Sequence, residues 1–151
     1  MSTDRIKKKI KLNAPPERVW KALTDHREFG RWFRVNLDGP FVPDRPVRGK
    51  ITHPGYEHVV MELVPRKMDP ERLFSFEWHP YAVDPKVDYS QEPPTRVEFR
   101  LEKMLAGTLL TVTESGFDAI PAARRDEAFR MNSDGWAEQL NNVKAHLTEA
   151  A

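Results

Sequence analysis

From residue 35 to residue 115 the chain is a succession of short runs rich in Val, Ile, Thr, Phe and Trp, divided by Pro, Gly and Asp. One long helical stripe follows. No other feature restricts the fold as much. The runs lie at 35–37, 47–52, 58–64, 73–79, 96–105 and 108–115, and serial strands of this kind read as an antiparallel meander. The stripe extends from about 121 to 147, where Phe129, Trp136, Leu140, Val143 and Leu147 share one helix face and Pro121 suits the first turn.

Ahead of the meander, residues 5–12 alternate, with Ile6, Ile10 and Leu12 on one side and Arg5, Lys7, Lys9 and Lys11 on the other. That is the period of a half-buried strand, and its Lys row suits an edge or solvated face. Asn13 is placed to cap a helix that opens with Pro15, Pro16 and Glu17 and has Val19, Ala22 and Leu23 as its stripe. Asp25 and Glu28 have the spacing of a capping box for a second short helix, which buries Phe29, Trp32 and Phe33. Residues 80–94 hold four prolines and two tyrosines without a period, and a loop of that length suits a lid or entrance flap. With 151 residues, no repeat and no linker, a single domain over 1–151 is expected.

The last two runs allow a register to be assigned. If Ala106-Gly107 is a two-residue turn, Leu105 faces Thr108, Lys103 faces Leu110, Leu101 faces Val112 and Phe99 faces Glu114. These pairs share one face, which is apolar apart from Thr108, Lys103 and Glu114.

Several function classes are excluded or disfavoured by residue content. The chain has no cysteine, which excludes disulfides, thiol catalysis, iron–sulfur clusters and cysteine zinc sites. With no Gly-x-Gly-x-x-Gly either, nothing supports a flavin or nicotinamide reductase. Walker-type phosphate loops and the Gly-x-Ser-x-Gly elbow are missing too. Twenty-four Lys and Arg against 23 Asp and Glu give a net charge of +1, so no nucleic-acid partner is expected. The ten basic residues before position 35 read as a strand face and a helix surface, without the interleaved aromatics of a single-strand binding surface. His53 and His58 are five apart with no third ligand nearby, so no metal site is expected. No apolar run is long enough to insert into a membrane, and no secretory leader is evident; the expected location is cytoplasmic.

Five stretches carry a family resemblance: Ala14-Pro-Pro-Glu-Arg-Val-Trp-Lys-Ala-Leu-Thr-Asp25, Trp32-Phe33, Pro70-Glu-Arg-Leu-Phe-Ser-Phe-Glu-Trp78, Leu110-Thr-Val-Thr-Glu-Ser-Gly-Phe117, and Gly135-Trp136 followed by Leu140. In content and order they resemble the START-like, or SRPBCC, helix-grip superfamily. The branch they resemble is typified by the C-terminal domain of the activator of the heat-shock chaperone ATPase. The resemblance implies an α+β fold of order β-α-α-β6-α, in which a curved antiparallel sheet wraps around the long C-terminal helix. It also implies a cavity between sheet and helix that receives a hydrophobic or aromatic small molecule, with no cofactor required.

Placed on that fold, Phe76, Trp78, Phe99, Leu101, Val112 and Trp136 would supply apolar walls, and Glu114, Asn132 and His79 would orient polar atoms of a ligand. Each has a structural alternative. Glu114 either lines the cavity or escapes to water or an Arg at the strand end; Asn132 and Gln139 either meet a ligand or bond to neighbouring strand backbone. Gly135 implies close approach to the sheet or to a ligand. Tyr81 and Tyr89 are placed to close over an opening. Enzymes acting as cyclases, dehydratases or hydrolases occur in the superfamily, which makes Glu114 a candidate acid or base, although no second catalytic group is visible. The branch name adds a chaperone-directed interaction as a third reading.

Overall fold

The elements follow the expected order. In the computed structural model, which describes residues 4–84 and 86–149, they are β1 (Arg5–Leu12), α1 (Pro16–Thr24), α2 (His26–Phe33), β2 (Val35–Leu37), β3 (Val47–Ile51), β4 (Val60–Asp69), β5 (Leu73–Trp78), β6 (Thr95–Met104), β7 (Gly107–Ser115) and α3 (Ala122–Glu149). Residues 1–3 and 150–151 of the expected 1–151 domain, and Pro85 of the long loop, lie outside the described residues. All seven strands join one antiparallel sheet in the order β1-β7-β6-β5-β4-β3-β2. β1 and β2 are therefore opposite edges, and the α1–α2 pair carries the chain from one to the other. With α3 packed against β1, α1 and α2, this is an α+β helix-grip fold.

The strand patterns explain where the core lies. Ile6 and Leu12 of β1 are buried while Arg5, Lys7, Lys9 and Lys11 are exposed. β6 and β7 alternate in the same way, burying Thr95, Val97, Phe99 and Leu101 on one strand and Thr108, Leu110, Val112 and Glu114 on the other. Buried aromatic rings occupy the space between this face and the helices. Phe99 lies 6.2 Å from Phe74, 6.1 Å from Phe76, 6.4 Å from Trp32 and 5.7 Å from Trp136, centroid to centroid. Rings at these separations are in the range of favourable edge and offset contacts.

The structure corrects four local expectations. The β6–β7 register is displaced by two residues, so that Phe99 faces Val112 and Val97 faces Glu114. The cause is the turn: Ala106 does not take the positive φ that a 106–107 turn asks of it, whereas Gly107 does, at φ 108, leaving Leu105 and Ala106 as the turn residues. A Cβ at 107 would also meet the Leu12 carbonyl of β1. A two-residue displacement keeps every side chain on its face, so the assignment of faces survives.

β4 is longer than its pattern suggested, because Pro65 sits at a register shift between Pro65 and Lys67, where a strand tolerates proline. At α1 the N-cap is Pro15 and no side chain caps the helix, so Asn13 does not perform that role. Finally, only half of the capping box forms. Asp25 Oδ1 accepts from the backbone N–H groups of Arg27 (2.9 Å) and Glu28 (3.2 Å), but Glu28 turns away from the cap.

Glu28 instead ties the three helices together. Its Oε1 accepts from Arg18 Nη1 of α1 and from His146 Nε2 of α3, both at 2.8 Å, and the carboxylate and imidazole are both buried. Burial pushes the Glu28 carboxyl up, but the hydrogen bonds and charges of His146 and Arg18 outweigh this and hold it below its ordinary value. A carboxyl depressed in the folded state contributes stability above its unfolded pKa and loses it as pH falls through the folded one. Glu28→Gln should therefore cost about 2 kcal/mol at pH 7, the scale of hydrogen bonds to a charged group. The gap to the parent should narrow as acid protonates Glu28, which urea denaturation at pH 7 and pH 3 would measure.

Candidate functional site

Four elements meet at one carboxylate, with Thr95 of β6 among its donors. The alternation of β5 turns Phe74, Phe76 and Trp78 to the inner face, β7 directs Glu114 to the same side, and α3 brings Asn132 and Trp136 there one turn apart. Glu114 is fully buried. Its Oε1 accepts from Asn132 Nδ2 (2.9 Å) and Trp136 Nε1 (2.8 Å), and its Oε2 from Trp78 Nε1 (2.7 Å) and Thr95 Oγ1 (2.5 Å). Neither structural alternative considered for Glu114 holds: it reaches no water-exposed strand end and no Arg. Burial raises its pKa above the ordinary carboxyl value, opposed by the hydrogen bonds from Thr95, Trp78, Trp136 and Asn132. All four surrounding donors are engaged by this carboxylate, which fixes the orientation of their side chains.

Beside this network a cleft of about 630 Å³ opens between the end of α2, strands β3 to β5, the 79–94 loop and α3. Phe33, Met61, Trp78, Tyr81, Asn132 and Gly135 are among its walls. Of the nine candidate residues, Trp78, His79 and Asn132 line the cleft, while Phe76, Phe99, Leu101, Val112, Glu114 and Trp136 lie in the packed core behind it. Aromatic rings fill the space that the candidate walls were expected to enclose, so the opening lies to one side of them. Trp136 backs the cleft by stacking on Trp78, at 5.7 Å and 29°.

His79 is committed to the loop: its Nε2 donates to the Glu92 carbonyl at 2.9 Å. The same loop is clasped by Arg124 in the first turn of α3, which binds both Glu92 oxygens (2.7–3.0 Å), donates to the Pro80 carbonyl (2.9 Å) and lies 4.7 Å from the centre of the Tyr89 ring. Tyr81 and Tyr89 accordingly both face the cleft. Gln139, weighed with Asn132 from the sequence, also lines the cleft and donates to the Phe33 carbonyl at 3.3 Å, at the end of helix α2 and not on a strand.

Gly135 does not serve close packing. A Cβ built there meets nothing within 4 Å, yet a glycine inside a helix costs about 1 kcal/mol relative to alanine. Its effect is to leave the α3 backbone bare on the cleft wall. Thr95 and Arg124 escaped the sequence reasoning, and Phe33, expected on the buried side of α2, borders the cleft instead. Thr95 would have been found from the correct register, since it lies two residues from Val97 on the face that meets Glu114; Arg124 carries no local signal.

Solved structures share the architecture. The protein MLL2253 from Mesorhizobium loti superposes with a TM-score of 0.77 at 19% identity, over 97% of this chain and 98% of that one. The Aha1 dimer from Colwellia psychrerythraea gives 0.70 at 20%, over 95% of each chain. DynU16, from the dynemicin biosynthetic locus, gives 0.74 at 20% over 96% of this chain and 47% of its own. At such identities the likeness speaks for the fold. No curated protein matches the chain. The model of the family described as activator of Hsp90 ATPase homolog 1-like protein matches residues 13–148, nearly the whole helix-grip unit from the end of β1 to the last turn of α3, and the chain belongs to that family.

Proposed function

We propose that this protein binds a hydrophobic or aromatic small molecule in the cleft between the β3–β5 side of the sheet and α3, without catalysing its conversion. The observation that carries this reading is the cleft wall: an indole, Trp78, held rigid by a buried carboxylate, facing a stretch of helix that Gly135 keeps bare. At about 630 Å³ the space is of the size that small-molecule sites occupy; its aromatic walls, Phe33, Trp78 and Tyr81, suit a flat ring, and polar side chains on the same lining, Asn132 and Gln139 among them, offer partners to a ligand's polar atoms. An area of apolar contact near 200 Å² would contribute about 5 kcal/mol at ~25 cal/mol per Å² before the cost of association. Glu114 gives no support to an enzymatic reading, since it does not line the cleft. A chaperone-directed role rests on the family name.

Titration of ¹⁵N-labelled protein with flavones, naphthols and medium-chain fatty acids tests the proposal. Shifts confined to the Trp78 indole N–H, the Asn132 side-chain amide and the Gly135 backbone amide are expected from the flat aromatics. If none of the panel moves these signals at millimolar concentration, the proposal fails.

A further inference from the structure

We infer that the cleft selects flat ligands that carry a hydrogen-bond donor, a ring hydroxyl or N–H, which is given to Asn132 Oδ1 while the ring passes over the bare backbone at Gly135. This rests on the reading of the cleft as a small-molecule site. Two independent observations carry it. The first is the orientation of the Asn132 amide. Its Nδ2 is held by Glu114 Oε1 at 2.9 Å, and a carboxylate accepts but does not donate, so the amide cannot be turned round without setting oxygen against oxygen. Among the described residues no donor reaches Asn132 Oδ1, and no buried side-chain oxygen or nitrogen lacks a partner, so Oδ1 is accessible from the cleft that Asn132 lines. The polar atom presented there is an acceptor. Glu114 is thus a positioning residue for ligand recognition: it sets the Asn132 amide and, through Oε2, the Trp78 indole.

The second observation is the gap at Gly135, one turn from Asn132 on the same wall. Asn132 Oδ1 and the free space at Gly135 lie within one turn of α3, next to the Trp78 ring, in a cleft whose other polar side chains on that helix are Glu138, Gln139 and Asn142. An acceptor fixed in this way rewards a donor and is indifferent to an ether or a carbonyl, which a swivelling amide would accommodate equally well.

Matched probes read this directly: 7-hydroxyflavone, 7-methoxyflavone and flavone, titrated into the parent protein and into Asn132→Ala and Gly135→Ala. In the parent, 7-hydroxyflavone should bind about fivefold tighter than either of the others. Asn132→Ala should reduce that preference to less than twofold while the other two keep their affinity. Gly135→Ala should raise the melting temperature and weaken all three at least about fivefold, so its loss of binding cannot be ascribed to misfolding. Equal binding of all three probes by the parent overturns the donor rule and leaves the cleft as a binding site. Unchanged affinity in Gly135→Ala overturns the approach over the helix. Absence of binding by all three probes overturns this inference, and the proposed function falls with it when the naphthols and fatty acids fail to bind as well.

Discussion

Replacing Glu114 with leucine lowers the stability of the folded protein by about 3 kcal/mol at pH 7, because four donors lose their acceptor and two of them have nowhere to turn. Trp78 and Asn132 border the cleft, where water can replace the carboxylate. Thr95 and Trp136 cannot be rescued so easily, being 0% and 2% exposed, and each buried orphan costs about 1–3 kcal/mol. Leucine also removes a carboxyl whose charged form burial penalises, which offsets part of the loss. Glu114→Gln keeps the shape but sets its NH₂ against two of the donors, and should cost about 2 kcal/mol.

The pH dependence has a definite sign. The folded pKa of Glu114 is raised, so the group contributes most below its unfolded pKa, and the contribution declines as pH rises through the folded value. The advantage of the parent over Glu114→Gln is therefore largest in acid and shrinks toward higher pH, opposite to the behaviour of Glu28. Urea denaturation of both variants across pH 4–8 measures it. A loss below about 0.5 kcal/mol for Glu114→Leu would mean that water already satisfies the donors.

The second large effect concerns whether the aromatic face is core or cavity. Phe99→Ala should cost about 4 kcal/mol, within the range for deleting a phenyl ring from a packed interior. Phe99 is fully buried and is contacted by the rings of Phe74, Phe76, Trp32 and Trp136, so its removal strips contacts from four neighbours at once. A ring that merely bordered an open cavity would have solvent on one side and would cost far less. Chemical denaturation with an unchanged m-value would report the loss; a cost under about 2 kcal/mol would return Phe99 to the wall of a binding cavity.

Legibility from the sequence followed the range of the interactions involved. Strand alternation in β1, β6 and β7 and the stripe of α3 are local periodicities, set by which side chains must leave water, and they were readable with the correct faces. Turn details were less so. The β6–β7 register depended on the φ of Gly107 and the nearness of Leu12, and the end of β4 on how a bulge absorbs Pro65. Glu114 could be singled out as a carboxylate on an apolar face, and Asn132 and Trp136 as candidate ligand contacts on the helix, but their hydrogen bonds to Glu114 were not foreseen.

What sequence alone determined is the order of strands and helices and the face on which Glu114 lies, since hydrophobic periodicity dictates both, while the helix-grip arrangement was implied by the family resemblance. Tertiary structure decided the rest: that Thr95, Trp78, Asn132 and Trp136 meet at one carboxylate, that the rings around Phe99 close the expected cavity, and that the free space lies beside Gly135. Those outcomes depend on how volumes from five separate elements fill a common interior, and packing of that kind leaves no period in the chain.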